Sequence, residues 1–134
     1  MRNLIDTVAW VLVEDGRILC VRTRGKDVFY IPGGKREAGE TELDALVREI
    51  NEELAVDLVP ESVRHFGTYQ AQAHAQGDGV EVLMSCYTAG YLGTPAASSE
   101  IEELDWLGYA DRRRVAPVDQ LLFDDLLADG QLRS

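Results

Sequence analysis

Residues 41–55 carry the clearest periodicity in the chain, and it restricts the fold more than any other feature. Leu43, Leu46, Val47, Ile50 and Leu54 recur at helical spacing. That spacing predicts one amphipathic helix from Thr41 to about Ala55 with a single apolar face. Thr41 suits its N-cap, with Asp44 three residues on as a capping-box variant. The segments on both sides are strand-like, so the fold class expected is α/β (α+β). Leu4–Val13 reads as a strand, and Glu14-Asp15-Gly16-Arg17 as a hairpin turn. Ile18–Arg22 returns as a second strand, and Arg24–Asp27 is a polar loop. Val28–Ile31 is a short apolar piece that stops at Pro32-Gly33-Gly34, read as a loop. After the helix come strands at 63–74 and 80–91, with Gln76–Gly79 as the turn between them. A small-residue loop follows at 93–99, then a short strand at Ile101–Leu107. A second helix is expected over 117–128, with Gly130 at its C-terminal cap.

Composition excludes several functional classes. The 134 residues carry a net charge of −11, which repels a phosphate backbone, so no nucleic-acid polymer is expected as a partner. The longest apolar run, Val8–Val13, is far short of a membrane span, so no membrane association is expected either. Met1-Arg2-Asn3 leads straight into a strand and is not expected to be a signal peptide. Cys20 and Cys86 both lie in apolar runs with no paired spacing, which reads as two buried thiols in a reducing, cytoplasmic setting. The length fits one domain, 1–134, and no repeat or linker interrupts it.

The acid is concentrated locally. Residues 31–60 hold eight acids and three bases. On a wheel of about 100° per residue starting at Leu43, Glu52 falls at about 180°, Glu49 at about 240° and Glu53 at about 280°. The three glutamates share one stripe beside the expected apolar face. Carboxylates at such spacing repel one another. One reading is a solvated acidic face. The other is a hard divalent cation held by oxygen ligands, with the Gly33-Gly34 loop bringing a backbone carbonyl close.

The spacing also has a specific form. Gly34-x5-Glu40-x7-Arg48-Glu49-Ile50-x-Glu52-Glu53-x-x-Val56 resembles the Nudix box, matching eight of nine fixed positions over 23 residues. The departure is Ala55, where the family has glycine, and it puts the helix exit in question. The compact length is similar to the MutT-like end of that family. The resemblance implies a mixed β-sheet sandwiched between α-helices. It further implies an enzyme that cleaves nucleoside diphosphates linked to another moiety, with Mg2+, or alternatively Mn2+, as cofactor.

By the same resemblance, Glu49, Glu52, Glu53 and the Gly33 carbonyl ligate metal, Arg48 holds a glutamate in position, and Glu40 and Gly34 support the box. Glu100, six residues before Trp106, resembles a loop glutamate that acts as base or extra ligand, though Glu102 and Glu103 compete for that assignment. Arg22, Arg24 and Lys35 are candidate phosphate contacts, with surface charge as the alternative. Tyr30 and Phe29 are candidates to stack on a base, with core packing as the alternative. Asp119 is a candidate base reader. His65 and His74 are expected to be ordinary strand residues, and Arg112-Arg113-Arg114 a solvated run.

A small nucleotide, most simply a (d)NTP, is the substrate implied. ADP-ribose or a nucleotide sugar is the alternative, and a non-catalytic nucleotide-binding module the second. Gln72 and Ala73 stand 16 and 17 residues past the box, where many ADP-ribose hydrolases have Pro and many dinucleoside-polyphosphate hydrolases have Tyr. A homodimer is implied only in that many family members form one.

Overall fold

The computed structural model describes residues 3–73 and 79–133. His74 and the expected Gln76–Asp78 part of a turn lie outside them. Among the described residues, nine strands and two α-helices run in the order β1 Asn3–Trp10, β2 Val13–Glu14, β3 Arg17–Thr23, β4 Gly33–Lys35, α1 Glu42–Leu54, β5 Asp57–Leu58, β6 Arg64–Gln72, β7 Val80–Thr88, β8 Tyr91–Leu92, β9 Ile101–Leu107 and α2 Pro117–Ala128. A four-stranded sheet has the order β4-β1-β7-β6, with β1 and β7 parallel. A three-stranded sheet has the order β2-β3-β9, and β5 pairs with β8.

Alternation along the strands explains the layering. On β1, Val8 and Trp10 join a core with Leu46, Ile50 and Leu54 of α1, while Ala9 joins a second core with Leu122, Phe123 and Leu126 of α2. On β3, Leu19 and Val21 face α1, and Ile18 and Cys20 share the α2 core. Both sheets are therefore buried on both faces between two helices, which is why these strands read as continuous apolar runs. Cys20 and Cys86 are buried free thiols, raised in pKa chiefly by burial. Among the described residues, no helix is long and apolar enough to cross a membrane.

Several expectations change. The single strand expected over 4–13 is two. The Val11 N–H bonds the Tyr87 carbonyl, whereas the Leu12 carbonyl accepts from Leu19, so the chain crosses from one sheet to the other at this point. Asp15 and Gly16 do form the expected tight turn, both at positive φ, between the paired Glu14 and Arg17. Gly33-Gly34 is not loop but part of β4, antiparallel to β1. Pro32 does not block it, because it precedes the strand and contributes its carbonyl to the Trp10 N–H. The apolar face of α1 is also rotated. Leu43 is 40% exposed, whereas Ala45 is fully buried, so the inward arc swings toward the glutamates. Arg112–Arg114 is a surface run as expected, with Arg113 and Arg114 exposed, but it lies in a 3₁₀ turn and not in a loop, with Arg112 paired to Asp124 and Arg114 to Asp111 and Asp105.

The N-terminus of α1 is capped as expected. The Asp44 N–H donates to Thr41 Oγ1 at 3.0 Å, and the Thr41 N–H reaches the Asp44 carboxylate. Its exit is the unusual end. Ala55 sits at φ +58, a left-handed conformation that costs a residue with a Cβ about 1–2 kcal/mol. Ala55 is exposed, so its methyl offsets none of that cost. Ala55→Gly is expected to stabilise the protein by about 0.5–1 kcal/mol after the added unfolded-state entropy of glycine, read as a higher urea midpoint with an unchanged slope.

Candidate active site

The glutamates are placed by contact between α1 and β4. At Gly34 a Cβ would overlap the Glu49 carboxylate, so that carboxylate rests on bare backbone. At Gly33, φ is +151 and a Cβ would collide with the Val8 carbonyl. The Gly33 N–H donates to Glu53 Oε1 at 3.1 Å. The glycine pair therefore lets the sheet edge approach α1 closely enough to receive two carboxylates. Gly34→Ala is expected to fold and to lose at least about a hundredfold in kcat/KM, because the Glu49 carboxylate is driven from its seat; circular dichroism and steady-state kinetics on one preparation check both halves.

Arg48 ties the surroundings together. Its guanidinium grips Glu40 through Nε at 2.7 Å and Nη2 at 2.9 Å. Nη2 also reaches the Lys35 carbonyl at 3.2 Å, and Nη1 reaches Glu49 at 3.3 Å and Glu52 at 3.5 Å. This fork, together with the Glu37 N–H, holds the Glu40 carboxyl down at about 2. The fork bridges helix, β4 and the intervening loop, as a positioning residue would.

Glu49 and Glu53 lie within the buried arc of α1, not beside it as the sequence suggested. Burial is the main cause of their raised pKa values, about 7 for Glu49 and about 8 for Glu53. For Glu53 the Gly33 N–H opposes the shift, and the charges of Glu49, Glu52 and Glu100 add to it. Among the described residues no three acidic, His or Cys side chains converge into a preformed cation cage. Glu53 is turned to Gly33, Glu49 to Gly34, and Glu52 to Arg48 near solvent. The donor set nevertheless fits a hard divalent cation. It is all oxygen and negatively charged, with two carboxyls whose ionisation is unfavourable until a cation compensates them.

The loop after β8 is stapled to the end of this helix. The Ala96 and Ser98 N–H groups bond the Leu54 and Glu53 carbonyls, two of the acceptors that a helix C-terminus leaves free. Ser99 then turns at φ +56, and the Glu100 carbonyl accepts from the Arg24 N–H at 2.8 Å. Of the three competing loop glutamates, Glu102 pairs with Arg24 and Glu103 with Arg22, leaving Glu100 as the one whose charge acts on Glu53.

A cavity of about 260 Å³ joins this end to α2. Gly33, Gly34 and Glu53 line it, and so does Asp119. Asp119 is 2% exposed, receives the Ile31 N–H, and leaves Oδ2 without a hydrogen-bond partner among the described residues. Burial raises its pKa to about 8. Tyr30 lines the cavity as a stacking residue would, whereas Phe29 packs in the α2 core under the Arg114 guanidinium. His65 is a strand residue, hydrogen-bonded to Thr68 and edge-on to Tyr87. Three candidate phosphate contacts are not brought here. Arg22 and Arg24 are turned to the β9 carboxylates, and Lys35 is exposed outside the cavity. Strand alternation explains Arg22, since its neighbours Val21 and Thr23 face the cavity instead. Gln72 and Ala73, the positions 16 and 17 residues past the box, line the cavity, as do Thr7, Thr23 and Lys26, which the sequence did not mark as site residues. Only the Gly25 turn before Lys26 offered a signal.

A family model for the NUDIX domain matches residues 3–126. The chain is 27% identical over 122 residues to the uncharacterized Nudix hydrolase YvcI of Bacillus subtilis, covering 87% of this chain and 75% of YvcI. It is 46% identical over 43 residues to the RNA pyrophosphohydrolase of Halorhodospira halophila, which is 32% of this chain and about a quarter (24%) of that protein. The solution structure of the E. coli ORF135 protein superposes with a TM-score of 0.74 at 27% identity, covering 95% of this chain and 91% of that one. A box of glutamates seated on a glycine-bearing strand, in a sheet between two helices, thus has its counterpart in a whole-chain match, and the protein belongs to the Nudix hydrolase family, enzymes that act on pyrophosphate bonds and generally use divalent cations.

Proposed function

We propose that the protein is a Mg2+-dependent pyrophosphohydrolase of a small nucleotide, cleaving a (d)NTP to the monophosphate and pyrophosphate. The observation that carries this reading is that one cavity is lined both by the box residues Gly33, Gly34 and Glu53 and by the buried Asp119, whose Oδ2 has no hydrogen-bond partner among the described residues. Glu49, Glu52, Glu53 and the Gly33 carbonyl would hold the cation, with Glu100 as a further ligand. When bound, Mg2+ or Mn2+ neutralises charge on the phosphate oxygens and lowers the barrier to attack by water. Glu53 or Glu100 would take the water's proton. Arg48 and Glu40 keep α1 and β4 in register, and Gly34 gives Glu49 its seat. Asp119 offers a hydrogen-bonding group to the edge of a base whose faces meet Tyr30 and the apolar walls.

The net charge of −11 favours a free nucleotide over an RNA end, because few phosphates beyond those at the metal would be neutralised. The likeness to an RNA pyrophosphohydrolase is confined to 43 residues. The test is a hydrolysis screen of the wild type with Mg2+ over ordinary and oxidised (d)NTPs, ADP-ribose, nucleotide sugars and dinucleoside polyphosphates, with products identified by mass. Monophosphate plus pyrophosphate from a triphosphate supports the proposal. AMP plus ribose 5-phosphate from ADP-ribose as the dominant activity replaces it. Nucleotide binding without turnover by any compound points to a non-catalytic module.

A further inference from the structure

We propose that the Lys26 ammonium contacts the phosphate chain of the bound nucleotide, the task that sequence alone would give to Arg22, Arg24 or Lys35; this rests on the nucleotide reading of the cavity. Lys26 is the only lysine or arginine among the described residues lining that cavity. The charged groups sharing the lining, Glu53 and Asp119, are acidic, so without Lys26 the protein would offer a polyphosphate no positive side chain there.

Lys26 is exposed, and hydrogen bonds fix the backbone that carries it at the cavity. The Lys26 N–H closes a turn onto the Thr23 carbonyl at 3.0 Å, with Gly25 at φ +85 in the position of a type II turn that needs positive φ. Arg22 Nη1 donates to the Lys26 carbonyl at 3.2 Å while its Nε is bound to Glu103 at 2.8 Å. The Arg24 N–H bonds the Glu100 carbonyl. Arg22 is therefore a positioning residue: its charge is spent on Glu103, and its second donor fixes the turn that carries Lys26. The turn is tied to the loop bearing Glu100, at the proposed hydrolytic end. A compact ammonium with three donors, placed there, suits phosphate oxygens better than a base edge.

Calorimetric titration with AMP, CMP, GMP and UMP, and with the four corresponding nucleosides, in Mg2+ tests this on the wild type, Lys26→Met, Lys26→Arg and Arg17→Met. For the tightest monophosphate, Lys26→Met is expected to weaken binding about tenfold, the scale of one charge-assisted hydrogen bond, while nucleoside affinity stays unchanged. Lys26→Arg is expected to retain most of the affinity, and Arg17→Met, which removes the same charge from the start of β3, all of it. Unchanged monophosphate binding in Lys26→Met overturns the proposal. So does an equal loss for nucleosides, an equal loss in Arg17→Met, or a wild type that binds no monophosphate. The readout is binding, so a wild type silent in the hydrolysis screen fails the enzymatic reading and leaves this one standing. A wild type that hydrolyses nucleotides but passes its phosphate affinity intact to Lys26→Met does the reverse.

Discussion

Glu53→Gln is expected to lower kcat with Mg2+ by about a thousandfold or more and, at the same time, to make the metal-free protein more stable at pH 8. The first effect follows from the position of Glu53, which faces Gly33 and the cavity and is proposed both as a cation ligand and as a candidate base. The second follows from its burial. In the unfolded chain the carboxyl ionises near its ordinary 4.5, whereas in the fold it does so at about 8. Between those values the folded state holds a proton that the unfolded state has lost, so this group's contribution to stability falls as pH rises through the window. Glutamine keeps the shape and accepts the Gly33 N–H without a charge to bury. Thermal unfolding in EDTA from pH 5 to 9 should show the wild type losing more stability than the variant as pH rises, with Mg2+ narrowing the gap. The same linkage means that cation binding releases protons, so apparent Mg2+ affinity should rise from pH 6 to 8.5. A variant equally active would remove Glu53 from the roles of ligand and base, and one equally pH-sensitive would remove its burial as the source of the stability change.

What the sequence made legible and what it hid divide along a physical line. The box was readable because its constraints are local: a helix advances by a set angle per residue, and a cap acts across three residues. Thr41, Asp44 and the glutamate stripe came out accordingly. The rotation of α1 was not readable, because which arc turns inward depends on the sheet it meets, and Ala45 wins burial over the larger Leu43 only since β4 lies close on that side. The close approach was itself encoded, in Gly33 and Gly34, but as a missing side chain that signals a loop equally well. Charged side chains were the least legible. Arg22, Arg24 and Lys26 sit within five residues of one another, and only the pairing of β3 with β9 decides that the two arginines meet Glu103 and Glu102. The same long-range pairing separates Glu100 from its two acidic neighbours.

Asp119→Ala should cost about tenfold to a hundredfold in kcat/KM for the preferred nucleotide, the range for losing a buried hydrogen-bonding partner of the substrate. The reason for singling out this residue is energetic. A carboxyl 2% exposed, with Oδ2 unpartnered among the described residues, costs the fold stability that a hydrophobic residue at the same place in α2 would not. Its sign on stability is like that of Glu53. The folded pKa of about 8 stands above the ordinary 3.8, so stability falls as pH rises across that interval, and removing the carboxyl relieves the loss. Asp119→Ala should therefore unfold at a higher temperature than the wild type at pH 8 while working less well. Asp119→Asn separates charge from shape. With its oxygen still accepting the Ile31 N–H, it puts a donor where Oδ2 stood, so it should retain bases presenting an acceptor there and lose those presenting a donor. The check is kcat/KM across all four base types for each variant, with kcat compared at saturation. A uniform fall in kcat with no change in base preference would mean that Asp119 shapes the cavity without reading what enters it.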